Sequence, residues 1–244
     1  MSCWRCRRPN LGRPERRQPP RSGNKGGRIV DKEKIAIERI KMAAELSIAH
    51  YGKPLLVTTS GGKDSDICIE LALRSGVPFE VQHSLTTADA PQTVQHVKAK
   101  FRGLELKGIK CTINYPTYKG RRISMWSLIP QKLMPPTRRI RYCCEVLKEQ
   151  AGKNRVITTG VRRAESAKRS GRGIMEDTAK DISKRLIINN DNDDSRQMIE
   201  RCQVQAKIIC NPIIDWLDRE VWDYIRSEGL GVNPLYNCGF TRVG

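Results

Sequence analysis

The 244-residue chain, 38% hydrophobic, is long enough to bury one core with a small appendage. It carries 45 Lys and Arg against 26 Asp and Glu, a formal charge of +19 that favours polyanions such as phosphates, nucleotides and nucleic acid. No apolar run nears the length of a membrane span, and the basic, Pro-rich first residues lack the apolar stretch of a secretory signal, so the sequence reads as cytoplasmic with no membrane partner.

Residues 1–28 are dominated by Arg, Pro, Gly and Asn without apolar periodicity and are expected to form a disordered basic tail, leaving 29–244 as one domain. The tail holds Cys3-Trp4-Arg5-Cys6, half of a four-ligand zinc site with no second pair nearby, so these are read as free thiols. From Asp31 to Tyr51 the apolar positions Ile35, Ile37, Ile40, Ala43, Leu46 and Ile48 recur at helical spacing until Gly52 and Pro54 end the pattern. Leu55-Leu56-Val57-Thr58-Thr59 then suits a strand buried on both faces. After Gly61-Gly62, Ile67, Ile69, Leu71 and Leu73 resume the helical pattern.

The alternation continues with a strand at 79–85, a helix at 90–107 and a strand at 110–114. A Pro-rich stretch at 115–137 follows, then a helix at 142–150 and a strand at 155–159. Beyond Gly160 come a basic loop, a strand at 184–189, a polar Asn/Asp cluster and a final helix from Asp218 to Ser227. Repeated strand and helix predict an α/β fold, an open and mostly parallel twisted sheet with helices on both faces.

The segment Ser60-Gly61-Gly62-Lys63-Asp64-Ser65 lies between the first strand and its helix. A glycine turn there aims backbone N–H groups outward at the positive end of a helix, which suits an anion. Ser60 and Ser65 add hydroxyls and Lys63 a mobile cation, while Asp64 is left open between orienting magnesium, orienting the lysine and capping the helix. The Walker spacing is absent. All six positions instead resemble the PP-loop of the adenine-nucleotide alpha-hydrolase superfamily, S-G-G-x-D-S.

Three further segments resemble the phosphoadenosine phosphosulfate (PAPS) reductase family and its DNA-phosphorothioation relative. They are Gly160-Val161-Arg162-Arg163-Ala164-Glu165-Ser166 with Arg169, Asn211-Pro212-Ile213-Ile214-Asp215-Trp216 running on to Asn233-Pro234-Leu235-Tyr236, and Cys143-Cys144 ahead of Glu145-Val146-Leu147-Lys148. Arg162, Arg163 and Arg169 follow a predicted strand end, the ligand edge of an open sheet, and guanidinium suits phosphate or sulfate. Trp216, Val221, Trp222 and Ile225 read as one buried stripe. Thr86 to Thr93 only partly matches the family's D-T-G…P-E-T and receives no catalytic role.

The resemblance implies catalytic roles for Lys63, Asp64 and Arg162, and nucleotide contacts from Ser60, Gly61, Gly62, Lys63, Asp64, Ser65, Gly160, Arg162, Arg163 and Arg169. It implies ATP, or adenylylsulfate or PAPS, as the bound nucleotide, with Mg2+. Iron-sulfur relatives hold a cluster with a Cys-Cys pair and a later Cys-x-x-Cys. Here Cys143 and Cys144 match the first pair and Cys238 stands as a third candidate, while the sequence ends near where relatives continue into the second pair, so truncation and an incomplete ligand set are expected. The intact loop favours a protein that cleaves the α–β bond of ATP to adenylate an acceptor for sulfur transfer, with a sulfur-donor protein or nucleic acid on the acceptor side. The alternatives are a PAPS or adenylylsulfate reductase, and an inactive nucleotide or nucleic-acid binder.

Overall fold

The computed structural model describes residues 25–137, 140, 142–148, 152, 154–177, 187–188 and 207–243. The Cys3/Cys6 pair, Cys202 and most of the expected tail lie outside them. The first helix, α1 (Lys25–Tyr51), begins six residues before the expected start and carries Gly26 and Gly27 in its opening turn. Weak helix formers are tolerated there because the first amides of a helix have no intrahelical acceptor in any case.

β1 (Leu55–Thr59), α2 (Lys63–Ser75), β2 (Phe79–Ser84), α3 (Pro91–Glu105) and β3 (Cys111–Asn114) follow the expected order. The Pro-rich stretch is not structureless: it forms a hairpin of β4 (Thr117–Tyr118) and β5 (Arg121–Arg122) and the helix α4 (Met125–Lys132). Next come α5 (Tyr142–Leu147), β6 (Val156–Thr158), β7 (Met175–Asp177), β8 (Ile187–Ile188), β9 (Ile208–Cys210) and α6 (Asp218–Ser227). The basic loop after β6 folds as two 3-10 turns, Arg163–Glu165 and Ala167–Arg169.

The main sheet has the order β3-β2-β1-β6-β9-β7-β8. Its body is parallel, from Leu55 opposite Phe79 and Val81 opposite Cys111 to Leu56 opposite Ile157 and Val156 opposite Ile208. β7 pairs antiparallel with β9 and β8. This is the α/β class that the alternation predicts. Leu55, Leu56 and Val57 are all buried, as a strand covered on both faces requires. Leu55 and Val57 join one core with Ala36, Ile40, Ile67, Leu71, Trp216 and Tyr224, so α1, α2 and α6 are fixed to the same sheet.

The chain runs β1, β2, β3 outward in one direction and then returns to place β6 on the other flank of β1. The loops that follow β1 and β6 therefore leave the carboxyl edge side by side at the point where strand order reverses, where open α/β sheets bind ligands.

Candidate functional site

The turn after β1 is built by its own side chains. Gly61 takes φ +75°, and its amide donates to Thr59 Oγ1 at 3.1 Å, while Ser65 Oγ closes the turn on the Gly62 carbonyl at 2.7 Å. Asn233 Nδ2 donates to the Gly61 carbonyl and to Thr93 Oγ1, both at 3.1 Å, which ties the turn to α3. The Lys63 amide donates to the Tyr236 hydroxyl at 3.0 Å. The amides of Gly62 and Asp64, at the start of α2, make no hydrogen bond to a described residue, and the Val243 carbonyl packs against Gly62.

Gly160 lies directly against this turn. A Cβ there would stand 2.7 Å from the Asp64 carbonyl carbon and 2.8 Å from the Ser65 nitrogen, a distance no side chain accepts. The absence of a side chain lets the β6 loop approach the start of α2 and carries Arg162 to the cradle.

Four charged groups meet there. Lys63 and Arg162 have side chains 4% and 3% exposed, and both reach Asp218 Oδ1, at 3.1 and 3.0 Å. Lys63 Nζ also lies 3.3 Å from Asp64 Oδ2. Arg162 Nε is 2.7 Å from Asp64 Oδ1, but the two are misaligned and neither atom has a hydrogen-bond partner among the described residues. Lys63 Nζ sits 5.9 Å from the Trp222 ring centre and 5.7 Å from that of Tyr236, two rings packed edge to face. Partial burial alone would raise the Asp218 carboxyl; Lys63 and Arg162 hold it below its ordinary value instead. Burial pushes the Tyr236 hydroxyl up, against the opposing pull of the Lys63 amide and ammonium.

A cavity of about 640 Å³ opens over these groups. Of the residues singled out from the sequence, Ser60, Gly62, Lys63, Asp64, Ser65, Gly160, Arg162 and Arg169 line it. Gly61 and Arg163 do not; Arg163 Nε donates to the Arg172 carbonyl at 2.9 Å and helps to hold the loop. Arg169 is ion-paired with Glu165, which also meets Arg242 Nη2 at 3.4 Å and accepts from the Arg162 amide at 3.3 Å. Burial, then the neighbouring Arg242 and Arg172 guanidinium groups, press the Arg169 pKa down.

Sequence reasoning missed Asp218, which had only marked a helix start, and His83. The ring of His83 is buried and lines the cavity; Nδ1 donates to the Thr59 carbonyl at 2.9 Å and Nε2 has no partner among the described residues. Trp222 is half-buried and forms a wall beside Lys63, whereas Trp216, Val221 and Ile225 are buried as expected.

Cys143, Cys144 and Cys238 do not gather into a metal site, for no group of three metal-ligating side chains exists among the described residues. Without such a gathering these residues do not by themselves fit an iron-sulfur cluster. Asp64 and Asp218 are both engaged by Lys63 and Arg162, so they do not form a preset magnesium site either.

A glycine turn at the reversal point of a parallel sheet, with buried cations in front of it, defines an α/β domain of the PP-loop type. Residues 54–244 match the family model of the phosphoadenosine phosphosulfate reductase domain, and the chain belongs to this family. It is 27% identical over 228 residues to an uncharacterized protein of Methanocaldococcus jannaschii, an alignment covering 89% of the chain but 40% of that protein, so it spans well under half of that relative's length. It is 22% identical to adenosine 5'-phosphosulfate reductase of Bacillus pumilus, covering 80% of the chain and 73% of the reductase. In fold it resembles the phosphoadenylyl-sulfate reductase of Candida auris in its phosphate complex, with a TM-score of 0.56 at 16% identity over 91% of this chain and 96% of that one. The U34-tRNA thiolase of Methanococcus maripaludis, solved with its four-iron four-sulfur cluster, gives a TM-score of 0.50 at 11% identity over 85% and 66% of the two chains. No helix among the described residues is long and apolar enough to cross a membrane.

Proposed function

We propose that the chain binds ATP with its phosphates over the Gly62–Ser65 turn and cleaves the α–β bond to adenylate an acceptor for sulfur transfer. One observation carries this reading: Lys63 Nζ and Arg162 Nη2 converge on a single carboxylate oxygen, Asp218 Oδ1, at 3.1 and 3.0 Å in front of the glycine turn. That oxygen marks where two buried cations and a helix start focus on one anionic atom.

An acceptor oxygen attacks the α-phosphorus, the Pα–O bond to the β-phosphate breaks, and pyrophosphate leaves with the bond's electrons. Negative charge grows on the departing oxygen. Lys63, Arg162 and the Gly62 and Asp64 amides are the groups that stabilise it, and positioned donors of this kind are each worth roughly 10²–10³ in rate. The Trp222 and Tyr236 rings keep Lys63 directed at the cradle.

A reductase of adenylylated sulfate is the second reading, favoured by the alignment along 73% of the Bacillus pumilus enzyme. Incubation with γ-labelled ATP, magnesium and either sulfide or a nucleic-acid acceptor separates the two. Pyrophosphate release dependent on Lys63 supports adenylation; sulfite formed from adenylylsulfate and thiol, without pyrophosphate release from ATP, assigns the reductase.

A further inference from the structure

The sequence from Leu106 to Cys144 contains nine Lys and Arg and no Asp or Glu, in a chain with 26 acidic residues. At the average spacing such a span would hold about four carboxylates, so the composition is polarised. Within it, the turn Lys119-Gly120, both at positive φ, folds the β4–β5 hairpin back on itself and sets Lys119, Arg121 and Arg122 on an exposed tip. None of these three, nor Lys132, pairs with a described carboxylate.

Aromatic groups are interleaved with these cations. The Arg122 guanidinium lies 3.9 Å from the centre of the Tyr115 ring, which remains 42% exposed, and Lys132 lies 4.8 Å from that of Tyr118. Trp126, in the first turn of α4, is 74% exposed. A separate small core of Ile123, Leu128, Tyr142, Val146 and Leu147 holds the unit together without using the Trp126 ring. The Met125 amide donates to Thr87 Oγ1 at 2.8 Å, fixing the arm to the loop whose Thr86 and Asp89 line the nucleotide cavity.

We propose that this arm, from Tyr115 to Lys132, is the docking surface for a single-stranded polynucleotide, held beside the cavity. Unpaired cations suit a phosphate backbone, and exposed rings suit unstacked bases, which a duplex keeps hidden. That the bound strand is the acceptor rests on the adenylation reading above; the docking itself does not.

The test uses the full chain without nucleotide, and anisotropy of fluorescein-labelled 20-mers of single-stranded RNA, single-stranded DNA and duplex across a salt series. K119E/R121E/R122E should weaken single-strand binding roughly tenfold or more and lower the salt slope by about 2, whereas the matched exposed set K34E/K53E/K98E should cost under about threefold. Trp126→Ala should lose roughly fivefold or more for single strands and little for duplex, with Trp126→Phe restoring most of it. The RNA and DNA arms decide which strand is preferred. The proposal is overturned if the control set costs as much as the arm set, if Trp126→Ala leaves single-strand affinity unchanged, or if sedimentation shows the patch closing a dimer that Trp126→Ala dissolves. No single-strand binding by the unaltered chain, with pyrophosphate release intact, removes this inference alone, and the converse removes only adenylation.

Discussion

Replacing Asp218 with Asn should tighten phosphate binding although it removes two ion pairs. The carboxylate occupies the point on which Lys63 and Arg162 converge, at 3.1 and 3.0 Å, and an incoming phosphate must displace it. Its side chain is 63% exposed, so each pair is solvent-screened and worth about 0.2–1 kcal/mol. Together they set a displacement cost of about 0.4–2 kcal/mol, which corresponds to roughly 2- to 30-fold tighter binding of pyrophosphate or a non-hydrolysable ATP analogue. Asn keeps the shape and one acceptor oxygen but no charge. Asp218 is also the first residue of α6, where a negative charge stabilises the helix by about 0.3–1 kcal/mol; with the two ion pairs the loss is about 0.7–3 kcal/mol, so the melting temperature should fall by roughly 1–12 °C. Affinity rises while stability falls, a pairing that general damage does not produce. Titration calorimetry of both proteins at two salt concentrations measures it. Unchanged or weaker binding refutes the idea that the carboxylate stands in the anion's place.

Gly160→Ala should cost about 1–3 kcal/mol of stability and most of the nucleotide affinity, because its methyl meets the Asp64–Ser65 backbone at 2.7–2.9 Å; thermal melts with calorimetry check both, and an unperturbed cradle would contradict it. Lys63→Ala should lower pyrophosphate release by roughly 10²–10³ while shifting the melting temperature far less in proportion; equal losses of stability and binding would count against its role. The pH dependence follows from the Asp218 carboxyl, held below its ordinary value once burial is overcome by Lys63 and Arg162. A depressed folded value contributes stability that is present above the unfolded value of about 3.9 and is lost as pH falls through the folded one. The stability gap between wild type and Asp218→Asn should therefore persist at pH 6 and close on acidification below about 4, as urea titrations at each pH will show.

The glycine turn was legible because its sequence signature is local: a buried strand, two glycines and a helix start within eleven residues, Leu55 to Ser65. β9 was not, since Ile208-Ile209-Cys210 is too short to show a period and gains strand identity only by pairing with Val156–Thr158. The hairpin and α4 hid behind prolines, although Pro130 lies within α4 and Ser124 caps it with a reciprocal Ser127 contact. Asp218 was invisible as a site residue for a different reason. At a helix start an aspartate is ordinary, and only the tertiary fold brings it to Lys63, 155 positions earlier.

The same contrast bears on what kind of cradle this is. A turn that binds phosphate through amides alone needs nothing from the rest of the chain, but here the turn is clamped from outside by Asn233 on the Gly61 carbonyl and Tyr236 on the Lys63 amide, both from the segment after α6. Two hydrogen bonds thus tie the turn Pro234–Cys238 and its cap Asn233 to the first loop, far from them in sequence. Asn233→Ala should therefore loosen nucleotide binding while leaving the Leu55–Val57 core packed, because it removes two hydrogen bonds to the turn and to α3 but no apolar contact of β1. Hydrogen exchange that quickens across residues 60–65 while 55–57 stay protected is the expected pattern; uniform loss of protection would show that the clamp belongs to the core rather than to the site.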